Sequence, residues 1–173
     1  HAPDVIFMYP EALASWVEKG ALLPLEQFYE EDSKFDIDDY YDIMVKTFTY
    51  QNQLYGLPKD ASAPIMEYNA ALFDHAKIPY PNDNWTWDDF LKSAQSLTRH
   101  DKRSRAVQFG TDGLDTFCWI LQNGGKILNA EGTKCLLDQP EAIQAVQFQA
   151  DLIHKHHVAP RAAELADIGQ WNL

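Results

Sequence analysis

The sequence predicts an α/β fold in which short strands alternate with helices. Two observations carry this reading. Residues 5–9, Val-Ile-Phe-Met-Tyr, form an unbroken apolar run of the kind found in strands buried on both faces of a parallel sheet. Segments of helical periodicity, bounded by capping residues, follow such runs in turn, and that alternation indicates mainly parallel pairing.

Taken in order, residues 3–9 read as the opening strand. Residues 11–19 read as a helix with Leu13, Trp16 and Val17 on one face, stopped by Gly20 in a left-handed conformation. Residues 24–28 suit a loop or short turn, and Asp38 or Asp39 is placed to cap a helix reaching toward Thr47. Residues 53–57 and 65–68 read as extended, and residues 69–75 as a short helix. The strongest helix start is Thr86-Trp87-Asp88-Asp89: Thr86 can accept from first-turn N–H groups, and the two acids complement the positive end of the helix dipole. That helix should run to about Arg99 with Phe90, Leu91, Ala94 and Leu97 inward. Residues 106–110 then read as a strand and residues 116–122 as a helix ended by Asn123-Gly124-Gly125. A long helix capped by Asp138, with Pro140 near its first turn, should pass through Val146, Phe148 and Leu152 to about His156.

Composition narrows the function. The chain has 173 residues, 46% of them hydrophobic, with only 8 Gly and 9 Pro, which is ordinary for a globular protein. A net charge of −12 argues against nucleic acid and against anionic membrane surfaces, because both draw affinity from Lys and Arg. No apolar run reaches the ~18 residues that a membrane helix needs. Cys118 and Cys135 lack metal-type spacing, and the sequence leaves a bridge between them open. His154, His156 and His157 do not share one helix face, and Lys155 sits among them, so they read as a solvated helix end and not as a metal site. Gly124-Gly125 is no phosphate-binding fingerprint.

Several separated motifs point further. Leu54-Tyr55-Gly56-Leu57-Pro58-Lys59-Asp60, Tyr68-Asn69-Ala70-Ala71-Leu72-Phe73, Thr86-Trp87-Asp88-Asp89-Phe90 and the opening Pro3-Asp4-Val5-Ile6-Phe7 occur in that order along the chain. With them the chain resembles the extracellular solute-binding proteins of carbohydrate ABC importers, the maltose-binding-protein-like family. The resemblance implies a periplasmic-binding-protein-like fold, two α/β lobes joined by hinge strands with the ligand between them. Residues 1–60 would be part of the first lobe, 61–64 the hinge crossing and 65–173 part of the second lobe. Both lobes are expected to be incomplete, because the family is more than twice this length and starts earlier. An internal piece of a longer polypeptide is therefore expected.

The resemblance also implies a role without catalysis: binding a mono- or oligosaccharide outside the cell, in a periplasm or on a lipid anchor, and delivering it to membrane permease subunits. No cofactor, metal or nucleic acid is implied. A neutral sugar offers hydroxyls and flat C–H faces, so carboxylates and aromatic rings are the residues to seek. By resemblance, Glu11 would take the acidic role and Tyr9 the stacking role after the first strand, although Ala12 stands where a basic residue often follows. Asp60 and Ser62 lie on the crossing, and Asp112, Asp115 and Trp119 belong to the loop and helix that contact sugar from the second lobe. Each has a plainer alternative: a solvated carboxylate for Glu11, an ion pair with Lys59 for Asp60, helix caps for Asp112 and Asp115, core packing for Trp119. A glycoside-processing enzyme would instead need two facing carboxylates roughly 5–10 Å apart, which no spacing here demands. A truncated chain that binds nothing, and covers exposed sheet edges by forming an oligomer, is a further alternative.

Overall fold

The computed structural model describes residues 3–30, 32, 34–103, 106–112, 115–130 and 132–168. The chain divides into two compact units, His1–Ala63 and Pro64–Leu173.

In the first unit a 3-10 turn, Pro10–Ala12, leads into α1 (Leu13–Glu18), with Pro10 where its missing N–H costs nothing. Leu13 is buried, and Gly20 at φ +65° follows the helix end as expected. α2 (Glu26–Tyr29) occupies the segment expected to be loop. The expected cap at Asp38 or Asp39 is corrected: Asp36 accepts from the Asp38 N–H at 3.0 Å and caps a 3-10 turn, Ile37–Asp39. α3 (Asp42–Thr47) starts separately, without a side-chain cap. A hairpin of β1 (Thr49–Tyr50) and β2 (Gln53–Leu54) sets Thr49 opposite Leu54 and Tyr50 opposite Gln53. Its turn residues Gln51 and Asn52 have φ of 49° and 63°, both positive as a type I′ hairpin requires. Buried Leu54 ties the hairpin to α2: its N–H donates to Glu26 Oε1 at 2.7 Å, and its carbonyl accepts from the Leu25 N–H at 2.8 Å.

The second unit starts with α4 (Ala70–Ala76), whose cap Asn69 accepts from the N–H groups of Ala71 and Leu72 at 3.1 and 3.4 Å. α5 (Trp87–Leu97) opens on a capping box. Thr86 Oγ1 accepts from the Asp89 N–H at 3.2 Å, while Asp89 Oδ2 accepts from the Thr86 N–H at 3.1 Å and its hydroxyl at 2.6 Å. The hydroxyl bond, then the backbone bond, hold the Asp89 carboxyl below the usual carboxylate range. After β3 (Arg99–His100) and β4 (Ala106–Gln108) come α6 (Thr116–Gln122), α7 (Pro140–His154) and α8 (Ala162–Ile168). One core unites Phe90 and Ala94 of α5, Trp119 and Ile120 of α6, Ala142, Ala145 and Leu152 of α7, and the following Val158 and Ala159. Val146 on this helix is exposed, and the cap of α7 is Gln139 rather than Asp138. Near the end of α7 Asp151 is held below the usual carboxylate range, first by the Gln147 amide and then by Lys155. Cys118 and Cys135 are free thiols, and burial followed by the charge of Asp115 pushes the Cys118 thiol up.

The strand expectations change most. Residues 5–9 form no strand, and Val5 is 88% exposed. Residues 65–68 are likewise unpaired and exposed. Among the described residues every pairing is antiparallel: β1 with β2, β3 with β4, and a bridge between Leu128 and Cys135. Antiparallel neighbours close through a short connection, whereas a parallel ladder must bring distant segments side by side through crossovers. The apolar runs at 5–9 and 65–68 find no such neighbour among the described residues.

Candidate ligand-binding surface

The first unit gathers most of the expected residues. Tyr9 is extended, with φ −84° and ψ 144°, and its carbonyl accepts from the Ala12 N–H at 3.1 Å, so the chain turns sharply there. The turn leaves the Tyr9 ring 72% exposed and sets Glu11, also exposed, two residues on. Tyr9 meets Phe7 edge-on, at 5.7 Å between ring centroids. Lys59 Nζ lies over the Phe7 ring at 5.3 Å and pairs with Asp60 Oδ2 at 3.4 Å.

Phe7, which is 65% exposed, thus links the loop carrying Tyr9 to the segment carrying Asp60. One surface carries an exposed aromatic pair, a cation and a carboxylate. The sequence reading took Phe7 for a buried strand residue, while the Lys59–Asp60 ion pair is the plainer alternative it offered for Asp60. The phenylalanine's exposure and its approach to the lysine are tertiary facts without a local signature. The Lys59–Asp60 pair sits in solvent, where such a contact contributes at most about 1 kcal/mol. Ser62 is exposed on the same segment.

The second unit holds the remaining three. The loop after β4 is pinned: the Gly110 N–H donates to the Val158 carbonyl at 2.9 Å and to Thr98 Oγ1 at 3.1 Å, and the Thr111 N–H to the same carbonyl at 3.2 Å. Asp112 follows with its side chain exposed, at the rim of a groove of about 820 Å3. Gly113 and Leu114 of the expected loop motif lie outside the described residues. Asp115 caps α6, its Oδ1 accepting from the N–H groups of Phe117 at 2.9 Å and Cys118 at 3.3 Å. That oxygen is committed to the first turn of the helix, which is the capping alternative for Asp115.

Trp119 is withdrawn as a stacking platform. It is only 5% exposed, with Trp87, Phe90 and Phe148 around it at ring-centroid distances of 5.0, 5.2 and 5.3 Å. Trp87 in turn stacks on Phe148 at 4.7 Å and donates its Nε1–H to Gln122 at 3.1 Å. The indole of Trp119 therefore serves the core, with no face left to stack on a ligand. No group of three or more His, Cys, Asp or Glu positioned to hold a metal occurs among the described residues, and none of their helices is long and apolar enough to cross a membrane.

Comparison with known proteins decides the family. The profile described as "Bacterial extracellular solute-binding protein" matches residues 1–169. The chain belongs to this family. Among curated proteins it is 26% identical over 138 residues to the arabinooligosaccharide-binding protein of Halalkalibacterium halodurans, covering 80% of this chain and 30% of that one. Among solved solute-binding structures it resembles an ABC substrate-binding protein of Listeria monocytogenes in complex with cycloalternan. That likeness has a TM-score of 0.75 and 28% identity over 92% of this chain and 42% of the other. A solute-binding protein of Thermotoga lettingae bound with α-D-tagatose matches with a TM-score of 0.67 and 28% identity, over 87% of this chain and 39% of the other. The chain therefore spans only 30–42% of the length of these relatives. The fold is periplasmic-binding-protein-like α/β, and the chain is a partial member of it.

Proposed function

We propose that this chain is the ligand-facing part of a sugar receptor of an ABC importer, which captures a mono- or oligosaccharide outside the cytoplasm and hands it to membrane permease subunits without breaking a bond. The observation that carries the reading is the 0.75 TM-score likeness, over 92% of this chain, to a substrate-binding protein holding the oligosaccharide cycloalternan. The curated relative named for arabinooligosaccharides supports the same ligand class.

Physical chemistry supports it independently. The exposed Phe7 and Tyr9 rings offer faces for the C–H patches of a pyranose, and Asp60 and Glu11 offer acceptors for its hydroxyls. We take His1–Ala63 and Pro64–Leu173 as pieces of the two lobes, with residues 61–64 as the crossing and Ser62 on it. Asp112 and Asp115 would then supply acceptors from the second lobe. Lobe closure about the crossing would sequester the sugar and create the form that a permease recognises.

The test is a calorimetric titration of the protein with arabino-oligosaccharides, cyclic and linear gluco-oligosaccharides and tagatose. Saturable binding of one class, weakened by Asp60→Ala, is the expected result. No heat with any sugar while an unrelated solute binds would overturn the reading.

A further inference from the structure

Asn123-Gly124 is the one Asn-Gly pair in the sequence. Glycine has no Cβ to obstruct the backbone nitrogen that follows an asparagine, so in an unstructured chain such a pair is chemically labile. The Gly124 nitrogen attacks the Asn123 amide carbon, forming a cyclic imide as the C–N bond of the amide breaks and ammonia leaves. Water then opens the imide at either carbonyl, giving aspartate or isoaspartate. Nothing beyond solvent is consumed.

Folding opposes each part of that step. Asn123 ends α6 with φ −80° and ψ 9°, which leaves the Gly124 nitrogen nearly eclipsing the backbone nitrogen of Asn123. The cyclic imide requires it to eclipse Cβ instead. The Gly124 N–H donates to the Leu121 carbonyl at 3.1 Å, so the attacking nitrogen is engaged. The amide to be expelled is engaged too: Asn123 Nδ2 donates to the Glu141 carbonyl at 2.8 Å and to Gln144 Oε1 at 3.4 Å. These last contacts join the end of α6 to the start of α7, so reaction requires the two helices to part there.

The products also fit the folded unit poorly. Aspartate at this position has no side-chain N–H for the Glu141 carbonyl and sets a negative charge beside it. Isoaspartate lengthens the backbone by one carbon just before Gly125, where the chain is tightly packed. A Cβ on Gly125 would lie 2.9 Å from Ile120 Cγ2, 3.0 Å from the Ile120 carbonyl oxygen and 3.3 Å from the Ala142 nitrogen. Where a single carbon has no room beside the chain, a longer backbone displaces α6 from α7.

We propose that Asn123 is a latent deamidation site, held shut by the α6–α7 contact and opened when that contact parts. Its modification irreversibly marks chains that have opened there and hinders their return to the native packing.

Peptide mass mapping after incubation at mildly alkaline pH, in native buffer and in denaturing urea, tests the protection. In urea Asn123 should be the fastest of the asparagines to deamidate. In native buffer it should react at least about thirtyfold more slowly, equivalent to roughly 2 kcal/mol and so to the two hydrogen bonds of Gly124 N–H and Asn123 Nδ2 that must open. Asn123→Asp, the aspartate product made directly, tests the consequence. In urea denaturation it should lower the folding equilibrium constant by about tenfold or more. Asn82→Asp is the control: its side-chain oxygen keeps accepting from the Asn84 N–H, now at 2.9 Å, and its effect should stay within about twofold. Native and denatured rates at Asn123 within about threefold of each other, or Asn123→Asp no less stable than Asn82→Asp, would overturn the proposal.

Discussion

Replacing Gly110 with alanine is a severe test of how the second unit is built, because space alone decides the outcome. A Cβ at this position would lie 2.0 Å from the Ala94 carbonyl oxygen, 2.5 Å from its carbon and 2.6 Å from its Cα, all backbone atoms of α5 that cannot swing aside. The loop would have to retreat by about 1 Å to reach even the tightest tolerated separation of 3.0 Å, and further for an ordinary contact of 3.4 Å. Overpacking of that kind costs ~1–3 kcal/mol. Retreat also lengthens the Gly110 and Thr111 bonds to the Val158 carbonyl, each contributing about 1 kcal/mol. Gly110→Ala should therefore destabilise the unit by roughly 3–5 kcal/mol, a large share of the ~5–15 kcal/mol that holds a domain together. Urea denaturation read by circular dichroism measures it. Gly124→Ala is the contrast, since Gly124 has open space around it and only its φ of +77° to defend, which limits its cost to about 1–2 kcal/mol. A Gly110→Ala protein within 0.5 kcal/mol of the parent, or no worse than Gly124→Ala, would refute the packing argument.

Three further outcomes follow from the same geometry. Thr86→Ala should cost about 1 kcal/mol through the lost cap of α5. It should also flatten the acid limb of stability: Asp89 is held below its ordinary value of 3.8, so its contribution is full above that pH and is lost as pH falls through the lower folded value. Urea melts at pH 6 and pH 3 should differ less in the variant than in the parent. Trp119→Ala should lose about 3–5 kcal/mol of stability, being buried among Trp87, Phe90 and Phe148, while any ligand affinity of the still-folded protein stays within about twofold. Phe7→Ala should act in the opposite sense, leaving stability nearly unchanged and weakening sugar binding by about tenfold or more through loss of the ring that joins Tyr9 to Lys59.

What the sequence revealed divides along physical lines. Helix starts at Asn69, Thr86 and Asp115 were legible because a cap is a bond between residues two or three apart. The helix after Asp115 falls on Thr116–Gln122 as expected, with Asn123 as its cap. By contrast, the shift from Asp138 to Gln139 at the start of α7 is the one-residue ambiguity that local signals always leave. Residues 5–9 and 65–68 were misjudged because apolarity records a tendency to pair without recording whether a partner lies nearby. The candidate surface shows the same division. Glu11 and Asp60 became candidates through the family resemblance, whereas Phe7 acquires its place on the surface only from Lys59, fifty-two residues away. Trp119 carried a signal that fits core more readily than platform, and its aromatic neighbours in space place it in the core.

The measurement that bears most directly on the central claim is calorimetric titration of the protein with neutral oligosaccharides, repeated on Asp60→Ala and Phe7→Ala. The account predicts saturable binding to one sugar class, with both substitutions weakening it by about tenfold or more while thermal stability is retained. Binding that is unaffected by either substitution, or a complete absence of sugar binding alongside saturable binding of a different solute, would contradict it.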